Sequence, residues 1–185
     1  MSKYLWCVRQ QSTQITVFCD LSKSFDTISH NILFSKLHTY GIRGKANDFL
    51  KSYLSFWKQF TVYSNTSSTY KHINYGVSQG SILGLILFLV YANDIVCTSN
   101  KIKFLPYPDD TPIYIKGKYF DEMISTLKNE VIKVSDWISS NKLTMNVSKT
   151  FYMVSSLTNI NEGNMDVKLK TTICWIKLIT QKFQE

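Results

Sequence analysis

The 185-residue chain is 44% hydrophobic and 14% aromatic, which excludes intrinsic disorder and gives length enough for one domain around a sizeable core. Its 21 Lys and Arg against 13 Asp and Glu leave a formal charge of +8, the sign of a surface that meets polyanions such as nucleic acid. Four widely spaced cysteines without C-x-x-C argue against zinc and a disulfide framework. The N-terminus lacks a signal-peptide pattern, and the longest apolar stretch, Ile82 to Ala92, is too short for a bilayer. The expectation is an intracellular chain, in nucleus or cytoplasm, not secreted and without a membrane partner. The glycosylation sequons at Asn65 and Asn146 are then chance matches.

Met1 to Gln14 carry no usable pattern. Ile15 to Asp20 reads as a buried strand, because β-branched and aromatic residues run unbroken and stop at a carboxylate. A turn over Leu21 to Asp26 leads into a helix from Ser29 to Tyr40 that buries Ile32, Leu33 and Leu37 and stops at Gly41. His30 and His38 lack partners at ligand spacing and are expected at the surface or in caps. A second helix carries Ala46, Phe49, Leu50, Tyr53, Leu54 and Trp57 at 3.6-residue spacing, an aromatic stripe expected in the core rather than as a base-stacking platform. Phe60 to Tyr63 and Tyr70 to Tyr75 flank the polar turn Asn65 to Ser68 as a hairpin. Gly76 to Ser81 is a Gly-bounded loop, either a plain turn or one that brings backbone and Gln79 close to a ligand. It opens a helix over Ile82 to Val96, N-capped by Ser78 or Ser81, whose apolar residues on nearly all sides place it at the centre of the core.

Lys103 to Ile115 reads as a hairpin whose two apolar runs meet at Asp109 and Asp110. Two adjacent carboxylates repel and lose hydration, a cost that a bound divalent cation would offset; taken alone, such a pair is better read as ordinary solvated turn residues. A long amphipathic helix from Phe120 reaches Trp137 and Asn141, with Lys128, Glu130 and Lys133 on its polar face. A turn at Asn141-Lys142 and a strand over Thr150 to Ser155 follow. From Leu157 onward the pattern dissolves. The order is α+β, an antiparallel sheet backed by helices. If the Asp20 strand pairs with the Asp109 hairpin, the carboxylates meet at one sheet edge and can hold two Mg2+ ions ~3.5–4 Å apart for in-line phosphoryl displacement.

Phe18-Cys-Asp-Leu-Ser-Lys-Ser-Phe-Asp-Thr-Ile-Ser-His30, Tyr40-Gly-Ile-Arg-Gly44, Gly76-Val-Ser-Gln-Gly-Ser-Ile-Leu-Gly84, Tyr91-Ala-Asn-Asp94 and Tyr107-Pro-Asp-Asp-Thr111 resemble, in order and spacing, successive blocks of reverse transcriptases from non-LTR (LINE, jockey-like) retrotransposons. The resemblance implies the palm of a right-hand polymerase with part of the fingers and no thumb, over residues 1–156, followed by a divergent tail over 157–185. It implies that Asp20 and Asp109 are metal ligands and Asp110 the third catalytic carboxylate, holding two Mg2+ ions for which Mn2+ can substitute. Phe25 falls where the family has the aromatic ring that selects deoxynucleotides. Gln79 and Gly80 match the loop that positions template and nucleotide, and Tyr107 stands in the same nucleotide-binding set. Lys149 resembles the lysine of a later block that protonates pyrophosphate, or is a surface lysine. The implied partners are an RNA template, a DNA primer and deoxynucleoside triphosphates.

The chain departs from the family's usual residues at Ser78, Leu85 and Pro108, and proline fixes φ where a primed hairpin turn needs it positive. Two other readings stand beside the polymerase. One is a catalytically inactive retrotransposon remnant that at most binds nucleic acid through its charge. The other is a different two-metal phosphotransferase, which leaves Phe25 and Gln79 unexplained.

Overall fold

The computed structural model describes residues 13–55, 57–105 and 110–155, together with the backbone of three later strands; of Asp110 it describes the backbone alone. The chain divides into two compact units.

The first unit takes 94–140, 144–185 and the chain before Lys23. Its five-stranded sheet has the order β11-β8-β1-β7-β6, from β1 (Thr13–Asp20), β6 (Lys103–Phe104), β7 (Asp110–Gly117), β8 (Phe151–Ser155) and β11 (Lys177–Thr180). All pairings are antiparallel except β11 with β8. The expected strand begins two residues earlier, at Thr13, and is central, with neighbours on both sides, in keeping with its buried run. Alternation of side chains puts Ile15, Val17, Ile113, Tyr152 and Val154 on one face, and all five are buried. Asp20 falls on the other face, with Phe18, whose ring stacks on Phe151 at 4.8 Å. A 21-residue helix, α4 (Phe120–Ser140), packs along β7.

Glu130 corrects the expectation of a polar face on α4. It lies three residues after Leu127 and four before Val134, on the buried face, and is only 2% exposed. Burial pushes its carboxyl pKa up, but hydrogen bonds from Lys133 (2.8 Å) and Ser99, with the charges of Lys133 and Lys101, outweigh that and hold it below the ordinary value. The segment after Leu157, which shows no readable pattern, contains β9 (Asp166–Leu169) and β10 (Thr172–Trp175), paired with each other, and β11. β11 takes its place by pairing with β8 of the central sheet, whereas β9 and β10 pair only with each other in a separate two-stranded sheet, and local periodicity shows neither.

The second unit comprises 23–93 and 141–143. Helix α1 (His30–Thr39) lies as expected and buries Leu33 and Leu37. His30 is not a surface residue: it is buried, and its Nε2 donates to the Gly76 carbonyl at 2.7 Å. Helix α2 (Gly44–Ser55) buries Leu50 and Leu54, while Ala46 and Phe49 of the expected core stripe are exposed. Two strand pairs follow, β2 (Lys58–Gln59) with β5 (Lys71–His72) and β3 (Val62–Tyr63) with β4 (Thr66–Ser67). They form one hairpin, whose tip is Ser64-Asn65 rather than Asn65 to Ser68. Both tip residues have positive φ, 45° and 65°, the type I′ geometry of a two-residue loop.

Helix α3 (Ile82–Ala92) is capped by Ser81 and gives way at Asn93 to a 3-10 turn reaching Thr98, short of the expected single helix to Val96. It packs against α1 through a face that includes Leu87, Phe88 and Tyr91. Lys36 donates to the Tyr91 carbonyl (2.6 Å), satisfying one of the carbonyls that the helix end leaves open. Ile82, Leu85, Ile86 and Leu89 are exposed, so α3 is buried on one side and not all round. Among the described residues no helix is long and apolar enough to cross a membrane.

The Glu130 carboxylate predicts a pH-dependent contribution. Its depressed value means that the stabilisation is present above the ordinary value near 4.5 and is lost as pH falls through the folded value. Glu130→Gln is expected to lower unfolding free energy by about 1–2 kcal/mol at pH 7 and to cost progressively less below pH ~4.5, read by urea unfolding at several pH values.

Candidate active site

The register of β1 with β7 pairs Val17 with Ile113, Phe18 with Pro112 and, at the strand end, Asp20 with Asp110. Two carboxylate residues thus stand directly opposite on neighbouring central strands, where like charges are destabilising unless something neutralises them. Tyr107, Pro108 and Asp109 lie outside the described residues. The described strands that flank them are paired, Phe104 opposite Ile113 and the Leu105 N–H donating to the Pro112 carbonyl at 2.9 Å. Among the described residues no three His, Cys, Asp or Glu side chains are gathered for a metal ion.

On its other side β1 holds a second element. The Asp20 carbonyl accepts from the Asn146 N–H (2.8 Å), Leu21 bridges Met145, and the Ser22 N–H donates to the Thr144 carbonyl (2.8 Å). Phe18 already pairs with Phe151, so 147–150 are looped out beside the strand end that carries Asp20. The Asn146 carbonyl closes this turn by accepting from the Lys149 and Thr150 N–H groups and the Thr150 hydroxyl (2.8 Å), while the Asn146 side chain accepts from Ser148 (2.7 Å). Lys149 is exposed on it. Asn146 is the residue that sequence reasoning missed. Its signal was an Asn followed at two and four residues by hydroxyls, the pattern of a side-chain-closed turn.

The remaining expected site residues belong to the second unit. Phe25 is buried and stacks on Phe88, ring centroids 4.9 Å apart. Its carbonyl accepts from the Val77 N–H (2.8 Å) and the Ile28 carbonyl from the Gly76 N–H (2.8 Å), so Phe25 and the glycine loop are brought together. Gln79 and Gly80 are exposed at the tip of that loop. A side chain at Gly76, which has φ +85°, would begin 3.0 Å from the Asp26 carbonyl oxygen. At Gly84, in the first turn of α3, a Cβ would lie 2.1 Å from the Ser78 carbonyl oxygen and 2.8 Å from Ser81 Oγ, the cap that receives the Gly84 N–H. Gly84 is therefore what lets the loop lie flat on the helix start.

Comparisons with known proteins agree with this arrangement. Residues 4–173 match the family model described as reverse transcriptase (RNA-dependent DNA polymerase). The chain is 25% identical over 170 residues to a probable RNA-directed DNA polymerase from transposon BS of Drosophila melanogaster, covering 85% of this chain and 18% of that protein. To the corresponding protein of the X-element of Drosophila melanogaster it is 24% identical over 139 residues, covering 73% and 15%. It thus spans less than a fifth of the length of these curated relatives. Among solved structures, telomerase from Candida tropicalis in complex with a TWJ fragment of telomeric RNA superposes with a TM-score of 0.64 at 13% identity, over 91% of this chain and 31% of that one. Apo telomerase from Candida tropicalis, truncated from its C-terminal domain, gives 0.57 at 13% identity, over 88% and 34%. At such identity the likeness shows the fold alone, the palm of a right-hand polymerase.

Gly84→Ala is expected to destabilise the chain by about 2 kcal/mol or more, because the atom it would meet is a backbone carbonyl that cannot swing aside. Thermal unfolding checks this. An unchanged midpoint would mean that the loop does not lie on the helix start.

Proposed function

Because the chain belongs to the reverse transcriptase family, with the likeness to non-LTR retrotransposon enzymes borne out by its transposon relatives, we propose that it carries the palm of an RNA-directed DNA polymerase. The reaction is nucleotidyl transfer: the 3′-hydroxyl oxygen of a primer attacks the α-phosphorus of a deoxynucleoside triphosphate paired to an RNA template, and the bond to pyrophosphate breaks. The observation that carries this reading is the opposition of Asp20 and Asp110 at the ends of two adjacent central strands.

Reverse transcriptases use divalent cations, and a cross-strand pair of carboxylate residues fits such an ion, since it supplies hard oxygen donors and a repulsion that the ion relieves. Asp20, Asp109 and Asp110 would hold it. Two bound Mg2+ ions, or Mn2+ in their place, would make the primer hydroxyl a better nucleophile and neutralise the charge on the leaving oxygens. The strand end keeps Asp20 rigid, and positioning of this kind matters because a misplacement of ~1 Å can cost about 100-fold in rate. Lys149, on a turn bonded to the Asp20 carbonyl, is suited to hand a proton to departing pyrophosphate. The Phe25 ring, fixed against Phe88, would restrict the sugar that can enter and so favour deoxynucleotides. The exposed Gln79-Gly80 tip would support the template and the incoming nucleotide, and Tyr107 the same nucleotide.

Primer extension on an RNA template with Mg2+ or Mn2+ tests the reading. The chain is expected to extend the primer, and Asp20→Asn and Asp109→Ala to reduce extension by more than about 100-fold, beyond what losing an outer-shell contact costs. Lys149→Ala is expected to lower the rate less and to change its pH profile. Extension that survives Asp109→Ala would contradict the assignment, and extension by none of the proteins would leave a chain that binds nucleic acid without chemistry.

A further inference from the structure

The β2–β5 hairpin is unusual for a surface element. Phe60 is 48% exposed and Tyr70 67%, although their rings touch each other, centroids 5.0 Å apart at 61°. Lys58 pairs with His72, and Thr61 and Ser68 exchange bonds of 2.9 Å, the Ser68 N–H to the Thr61 carbonyl and the Thr61 N–H to the Ser68 hydroxyl. Between these pairings Thr69 is an extra residue, so a bulge there divides the ladder. Below the bulge, two-residue alternation sets Lys58 and Phe60 of one strand beside His72 and Tyr70 of the other on one face. All four side chains are exposed.

The charged residues of the stretch that carries this face have one sign. From Phe49 to Asn93 the chain has no Asp or Glu, while Lys51, Lys58 and Lys71 fall within it. A protein-binding patch built on aromatics would be expected to shed lysine, which is depleted from such interfaces. Aromatic faces interleaved with cations and free of carboxylates suit a polyanion whose bases are available for stacking.

We propose that this face of the hairpin, carrying Lys58, Phe60, Tyr70 and His72, binds single-stranded nucleic acid by stacking unpaired bases on the Phe60–Tyr70 pair. The contact goes beyond the polymerase reading, since it uses none of the carboxylates and would persist with catalysis abolished. Lys58 would meet a backbone phosphate. Stacking accepts any base, so the preference is for unpaired strands and not for a sequence. Both RNA and DNA offer this chemistry.

Fluorescence anisotropy of the full chain with labelled oligo(U), oligo(dT) and an abasic oligomer of equal length tests it. The oligomers with bases are expected to bind at least about tenfold tighter than the abasic one, and their order separates RNA from DNA as the favoured strand. The double variant Phe60→Leu with Tyr70→Leu keeps apolar area without an aromatic face, and is expected to lose about tenfold in affinity and the distinction from the abasic oligomer. Tyr70→Phe retains both. Lys58→Gln is expected to reduce the slope of log affinity against log salt by about 0.7. Asp20→Asn is expected to bind like the original chain, which separates this surface from the catalytic one. Full affinity in the double Leu variant, or equal binding of the abasic oligomer, would overturn the proposal. So would a dimer of the original chain that the double Leu variant dissociates while oligonucleotide affinity stays the same, because the hairpin would then be an interface between copies.

Discussion

The register of β1 against β7 fixes where the carboxylates stand. With Val17 paired to Ile113 and Phe18 to Pro112, the strand ends leave Asp20 facing Asp110. A slip of one residue would turn the buried set Ile15, Val17 and Cys19 toward the other face. Each fully buried aliphatic side chain is worth about 1.5–3 kcal/mol, whereas like charges directly opposite on strands cost at most about 1 kcal/mol. The apolar face therefore decides the register, and the opposition of the two aspartates is carried along with it. Under the proposed function a bound divalent cation would remove that small cost.

The same strand end organises its other side. Having paired with β8 as far as Phe18, β1 meets the chain again at Met145, and the residues between are looped out and tied by Asn146. A central strand can in this way present Asp20 between two independently anchored neighbours, the start of β7 at Asp110 and the Lys149 turn. β7 and the Lys149 turn are each tied to β1 by backbone hydrogen bonds. In the second unit Phe25 and the Gln79 loop are likewise joined by backbone bonds, with Gly76 and Gly84 permitting the close approach.

Much of this is legible in the sequence where a local rule and the tertiary structure agree. The run Ile15 to Asp20, the helix stopping at Gly41, the Lys103 to Ile115 hairpin and the spacing Met123, Leu127, Val131, Val134, Ile138 follow directly from periodicity and turn chemistry. Glu130 and His30 escape because a polar side chain can be buried where a partner offsets the cost, here Lys133 on one Glu130 oxygen and the Gly76 carbonyl on His30. Helix α3 looks central because Ile82, Leu85, Ile86 and Leu89 are apolar, yet hydrophobicity alone does not say which side of a helix is covered. The hairpin tip falls at Ser64-Asn65, where both residues take positive φ, and a bulge at Thr69 offsets the pairing, features that no local pattern announces. The strands after Leu157 are defined by their partners. Of the candidate site, the carboxylates came from motif order, whereas the opposition of Asp20 and Asp110 and the part played by Asn146 emerge only once β1, β7 and β8 are paired.

We propose that Asp20 and Asp110, brought opposite each other by the strand register, share a divalent cation. The most direct test is the thermal unfolding of the original chain and of Asp20→Asn, each with and without saturating Mg2+ or Mn2+. Relief of the repulsion predicts that Asp20→Asn melts higher than the original chain when no divalent ion is present, and that the ion raises the midpoint of the original chain but hardly that of the variant. An ion-induced rise of equal size in both proteins would contradict it, because the ion would then be binding somewhere other than the paired aspartates.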